Sequence, residues 1–79
     1  MIHSREDYNR IQDPENKIAA DEPVFLLRAK DDIAPGIVGK WATELVARGG
    51  DKKMASMAMK HAANMIDWQI KNGSKTPDL

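Results

Sequence analysis

Arg28 and Lys30 are the side chains of this sequence best placed to bind something. They close the apolar run Val24-Phe25-Leu26-Leu27, with Asp21-Glu22 before it and Asp31-Asp32 after it. In an extended chain, residues two apart project to the same side, roughly 6–7 Å from one another. That separation suits a phosphate or a pair of carboxylates, and a guanidinium can bind either through two parallel hydrogen bonds. Alternatively, the two cations pair with Asp31, Asp32 or the acidic N-terminal stretch, as surface charges commonly do at little gain. If two such strands met across a two-fold axis, four basic groups would converge.

Two other constellations invite chemistry. Tyr8 and Arg10 stand two residues apart, so an aromatic face and a guanidinium could sandwich a base and contact its phosphate. Tyr8 could equally tack the N-terminal segment onto the rest of the fold. Met54, Met57, His61 and Trp68 form a strip at helical spacing. Methionine adapts to irregular surfaces and tryptophan is favoured at binding hot spots, so the strip suits a protein partner, a subunit contact or plain core. No serine or cysteine nucleophile stands at a diagnostic distance from His61, and Glu44 and Asp67 are isolated carboxylates. Gly36-Ile37-Val38-Gly39 lies within a helical repeat and is no phosphate loop. The expectation is a protein that is not an enzyme and carries no cofactor.

These groups must be positioned by one small domain, since the chain has 79 residues. A chain of that size buries a modest share of its surface, and small domains are usually completed by disulfides, metals or self-association. With no cysteine, and with His3 and His61 the only histidines, disulfides and a closed metal site are not expected. Self-association, most simply a two-fold dimer, is the remaining route. The formal net charge is zero, but it is divided unevenly. Residues 1–32 carry 5 basic against 8 acidic side chains, a net −3, and the remainder 7 against 4, a net +3. Lys40, Lys52, Lys53 and Lys60 could touch phosphates, yet the imbalance is too small for a general nucleic-acid binder. No signal-peptide pattern and no apolar stretch of membrane-spanning length is present, so a cytoplasmic protein is expected.

Residues 1–20 read as an extended arm with a turn at Asp13-Pro14-Glu15-Asn16. Residues 21–73 read as the domain proper, and 74–79 as a polar tail. Val24 to Lys30 is expected as a strand, with a helix capped by Asp21 as the alternative. The strand's partner would be the arm or the same strand of another subunit. A helix capped by Asp31 or Asp32 and carrying Pro35 in its first turn should run to Arg48 and stop at Gly49-Gly50. Ala34, Ile37, Val38, Trp41, Ala42 and Leu45 share one of its faces, and Trp41 is expected at the centre of the core. Asp51 should cap a second helix ending near Asn72, before Gly73. More than half of its circumference is apolar, which implies a contact beyond the first helix. The fold class is therefore α+β: one short strand and an antiparallel helical hairpin, completed by homo-oligomerisation. A small all-α bundle is the alternative.

The segment Asp21-Glu22-Pro23-Val24-Phe25-Leu26-Leu27-Arg28-Ala29-Lys30-Asp31, with Arg10 to Pro14, Ala34-Pro35 and Trp41-Ala42, resembles a family of small bacteriophage-encoded proteins. The resemblance implies a phage accessory protein acting in the host cytoplasm, of the kind that binds and disables host defence components or their signals. It carries no functional residue with it. The leading expectation is sequestration of a small anionic, nucleotide-like ligand at a subunit interface by Arg28 and Lys30 with Tyr8 or Arg10. The alternative is an inhibitor that docks on a host defence protein through Met54, Met57, His61 and Trp68.

Overall fold

The computed structural model describes residues 1–5 and 13–78. Tyr8 and Arg10 lie outside them. Two packed helices dominate the described chain, α1 (Ala34–Ala47) and α2 (Lys52–Asn72). They are preceded by a short parallel pair, β1 (Ile2–His3) and β2 (Pro23–Val24), in which Ile2 faces Pro23 and His3 faces Val24.

The helix boundaries follow from local chemistry. At the start of α2 the Asp51 carboxylate accepts the amide of Lys53 at 2.8 Å and that of Met54 at 3.2 Å, satisfying two of the donors that a helix start leaves open. The helix ends at Gly73, whose φ of 82° lies in the region that suits glycine. At the start of α1 neither Asp31 nor Asp32 takes the expected cap position. Ile33 occupies the cap position and contributes no side-chain bond. Asp31 instead accepts the Ile33 amide on its carboxylate at 2.8 Å and the Ala34 amide on its carbonyl at 3.1 Å. The link from α1 to α2 is tight: Gly49 and Gly50 donate back to Val46 and Leu45 at 2.9 and 2.8 Å. So short a connection returns α2 along α1 as an antiparallel hairpin.

The seam between the helices is built from small residues. Among the described residues Ala34, Pro35 and Ala42 of α1 and Ala55, Ala62 and Met65 of α2 are the buried apolar side chains, with Ala58 half-buried between them. Alanines let the two backbones approach closely, but each methyl removed from water contributes only ~0.8 kcal/mol. Trp41 does not fit a seam this narrow. It stands 50% exposed on the flank of the hairpin, not at the centre of the core. Ile37, next to it on α1, is also pushed outward.

The segment expected as a strand over 24–30 is a strand only at Pro23–Val24. Its partner is the N-terminal pair Ile2–His3, which is just two residues long, so the ladder has nothing to continue against. From Phe25 the chain runs on without regular structure and turns at Arg28, whose carbonyl accepts the Asp31 amide at 3.0 Å. Arg28 and Lys30 therefore sit in a turn, not on a strand face. The turn is anchored from two sides. The Gln69 side-chain amide of α2 donates to the carbonyls of Ala29 at 2.8 Å and Asp31 at 3.0 Å. The tail residue Lys75 donates its amide to Lys30 and accepts that of Asp32, at 2.9 and 3.1 Å. The expected turn at residues 13–16 is present: Asp13 accepts the amides of Asn16, Lys17 and Ile18 at 2.9–3.1 Å.

Candidate anion-binding site

Three stretches of chain distant in sequence meet beside the turn. The β1–β2 pairing sets Ser4 and Arg5 next to Phe25 and Leu26. The turn itself supplies Arg28, Lys30 and Asp31, and its bridge to the tail adds Lys75, Pro77 and Asp78. Together they line a shallow cleft of about 270 Å³.

The charges in it are unequal. Arg5, Arg28, Lys30 and Lys75 face Asp31 and Asp78. Asp78 is engaged with Lys75 at 2.7 Å, in an exposed pair. The hydrogen bond and positive charge of Lys75 hold the Asp78 carboxyl below its ordinary value. Asp31 spends one carboxylate oxygen on the Ile33 amide. Among the described residues no ion pair reaches Arg28 or Lys30. The pairing of Arg28 with Asp31 or Asp32 that the sequence allowed is thus not made. Asp32 instead accepts the Thr76 hydroxyl at 3.2 Å.

Two side chains on a turn are less firmly positioned than two on a strand, but here the backbone of residues 29–32 makes four hydrogen bonds, two to Gln69 and two to Lys75. Beside them Phe25 is 72% exposed. An aromatic face beside unpaired guanidinium and ammonium groups is the combination that stacks a base and holds its phosphate. The sequence reading left Phe25, Arg5 and Lys75 out of the candidate site. Nothing local marks the last two, because the β1–β2 pair and the Lys75 bridge join residues that are far apart in the chain.

The second constellation is an apolar groove of about 480 Å³ between the helices and the turn segment. Val38 and Ala58 lie along it, with Ile37 and Trp41 on the α1 side, Met54, Met57 and His61 on the α2 side, and Leu27 at the turn. Three of the four residues of the predicted partner strip are brought together. Trp68 shares their flank of α2 and is 42% exposed, but it does not line the groove. His3 and His61 do not approach a metal site: among the described residues no group of three or more potential ligands forms. No helix is long and apolar enough to cross a membrane.

In comparisons with protein-family models, curated proteins and solved structures, nothing matches this chain.

Proposed function

We propose that this protein is a non-catalytic binding protein that holds a small phosphate-bearing, nucleotide-like ligand in the cleft of Arg28 and Lys30. The observation that carries it is the convergence of four basic side chains and one exposed aromatic ring on a single cleft, two of the cations having no ion pair among the described residues. A phosphate between Arg28 and Lys30 gains charge-assisted hydrogen bonds, and a base laid on Phe25 gains stacking. The volume of about 270 Å³ is small for an organic ligand site. It suits a mononucleotide whose base extends over the ring. One chain supplies every one of these groups, so the site needs no symmetry mate to assemble. Taken with the resemblance to small phage-encoded proteins, the reading extends to sequestration of a nucleotide signal of host defence.

Calorimetric titration with AMP, adenosine and inorganic phosphate tests this. AMP should bind more tightly than either part. Arg28→Ala should weaken AMP roughly tenfold or more, and Arg28→Lys should restore it only in part, because an ammonium lacks the planar fork. Phe25→Ala should cost AMP roughly tenfold and leave phosphate unchanged. Absence of AMP binding at millimolar concentration, or equal binding by wild type and Arg28→Ala, overturns the reading.

A second reading rests on the groove. The apolar flank formed by Trp41, Met54 and Met57 supports a protein partner, either a host defence component or another copy of the chain. Self-association is favoured by the alanine seam, which leaves most of the large apolar side chains outside the core.

A further inference from the structure

We infer that two copies of this chain associate face to face through the flank of the hairpin that carries Ile37, Trp41, Met54, Met57 and Trp68. The inference rests on the self-association reading above and assigns it a surface.

The hairpin has two apolar flanks, one on each side of the alanine seam. One carries the five residues just named, 42–65% exposed, and spans both helices with a groove along its middle. The other carries Val46, Met59, Ile66 and Ile70, 45–78% exposed. The first is the better candidate on three grounds. It holds both tryptophans of the chain, the residue type most enriched at interface hot spots. Its area is sufficient: five half-exposed large side chains leave ~500 Å² of apolar surface per copy, ~1,000 Å² over two copies, which reaches the size a specific interface needs before any polar rim is added. It also contains ridge and trough together, with Trp41 and Met57 standing beside the lower Val38 and Ala58. A two-fold axis across the groove sets each copy's ridge in the other's trough, as a self-complementary interface requires.

The occupant is another copy because the requirement belongs to folding itself. Among the described residues four alanines, Pro35 and one methionine make up the buried apolar set, the chain has no cysteine, and no metal cluster forms among the described residues. A second copy presents the same flank, equal in apolar area and complementary in relief, so it covers the first with no further component.

Sedimentation equilibrium of the full chain between 1 and 100 µM, with tryptophan emission and iodide quenching followed over the same range, tests the assignment. The expected result is a two-chain species. Its formation should move emission to shorter wavelength and protect the tryptophans from quenching, since Trp41 and Trp68 both lie on the assigned flank. Met57→Lys should abolish association, while Ile70→Lys, on the other flank, should leave it intact. Association with unchanged quenching, or lost by Ile70→Lys and kept by Met57→Lys, overturns the face and leaves self-association standing. Should Met57→Lys fail to fold, the wild-type quenching decides alone. A wild-type monomer at 100 µM overturns the face and self-association together, whatever the chain does with AMP.

Discussion

Asp78 shows how the cleft manages its own charge. Its carboxylate sits on Lys75 and is held below its ordinary pKa of 3.8 by that hydrogen bond and charge. A depressed carboxylate favours the folded arrangement above its unfolded pKa and loses that contribution as pH falls through the folded one. The pair is exposed, so the effect belongs to the tail and not to the global fold. In an NMR titration the Asp78 carboxyl should show a midpoint below 3.8, and Lys75→Ala should return it to that value. An unmoved midpoint in the variant would mean that the pair does not form in solution. Arg28 and Lys30 differ from Lys75 in having no such partner among the described residues, and this makes them the groups with charge to spare for a ligand.

At the scale of elements, the link between the helices makes the sharpest prediction. A Cβ on Gly50 would lie 2.3 Å from Leu45 Cδ1 and 2.8 Å from the Leu45 carbonyl oxygen. The side chain could swing away, but the carbonyl accepts the Gly50 amide and closes α1. Gly50→Ala should therefore destabilise the domain by ~1–3 kcal/mol in denaturant melts, whereas Gly36→Ala, with open space around it, should be neutral or slightly stabilising. Equal midpoints for the two variants would show that the link yields. The helices were legible in the sequence because their punctuation is local: Asp51, Pro35 and the glycines act within a few residues of where they stand. The strand was legible in part: the N-terminal arm was one of the two partners expected, but its length was not, because Ile2–His3 is a two-residue partner that leaves no period to read. The seam was only half legible. Helical spacing placed Ala34, Val38, Trp41 and Ala42 on one side, but it cannot say which part of a broad apolar face lies deepest. Close approach of two backbones decides that, and it favours alanine over tryptophan. Phe25 was not legible as a site residue, because it is the end of β2 at Val24 that leaves it in solvent.

For the molecule as a whole, the arrangement divides labour. Residues before Asp32, with the tail, build the polar cleft, and the two helices build the apolar groove. Leu27 lines the groove while Phe25, Leu26 and Arg28 line the cleft, so one short segment walls both sites. The pair Arg28 and Lys30 was legible as a candidate, since it rested on spacing and charge. Its companions Arg5 and Lys75 were not, since only the tertiary fold brings them near.

Gln69 turns that shared wall into a mechanical connection. Its amide grips the carbonyls of Ala29 and Asp31, on either side of Lys30, while its neighbour Trp68 faces the flank assigned to the second copy. An event that shifts residues 28–31 must be felt on α2, and the converse holds by the reciprocity of thermodynamic linkage. Whichever event orders residues 28–31 first spares the other that cost, so ligand occupancy and dimerisation should each raise the other's equilibrium constant by the same factor, on the order of fivefold. Measuring AMP affinity above and below the dissociation midpoint of the dimer gives the factor from one side, and sedimentation with and without AMP gives it from the other. In Gln69→Leu, which removes the donors but keeps the bulk, the factor should fall toward one. Equal AMP affinity for wild-type monomer and dimer would mean that the two sites act alone. Where they are linked, such a protein does more than hold its ligand: its capture curve steepens with its own concentration, so that accumulation of the chain acts as a threshold.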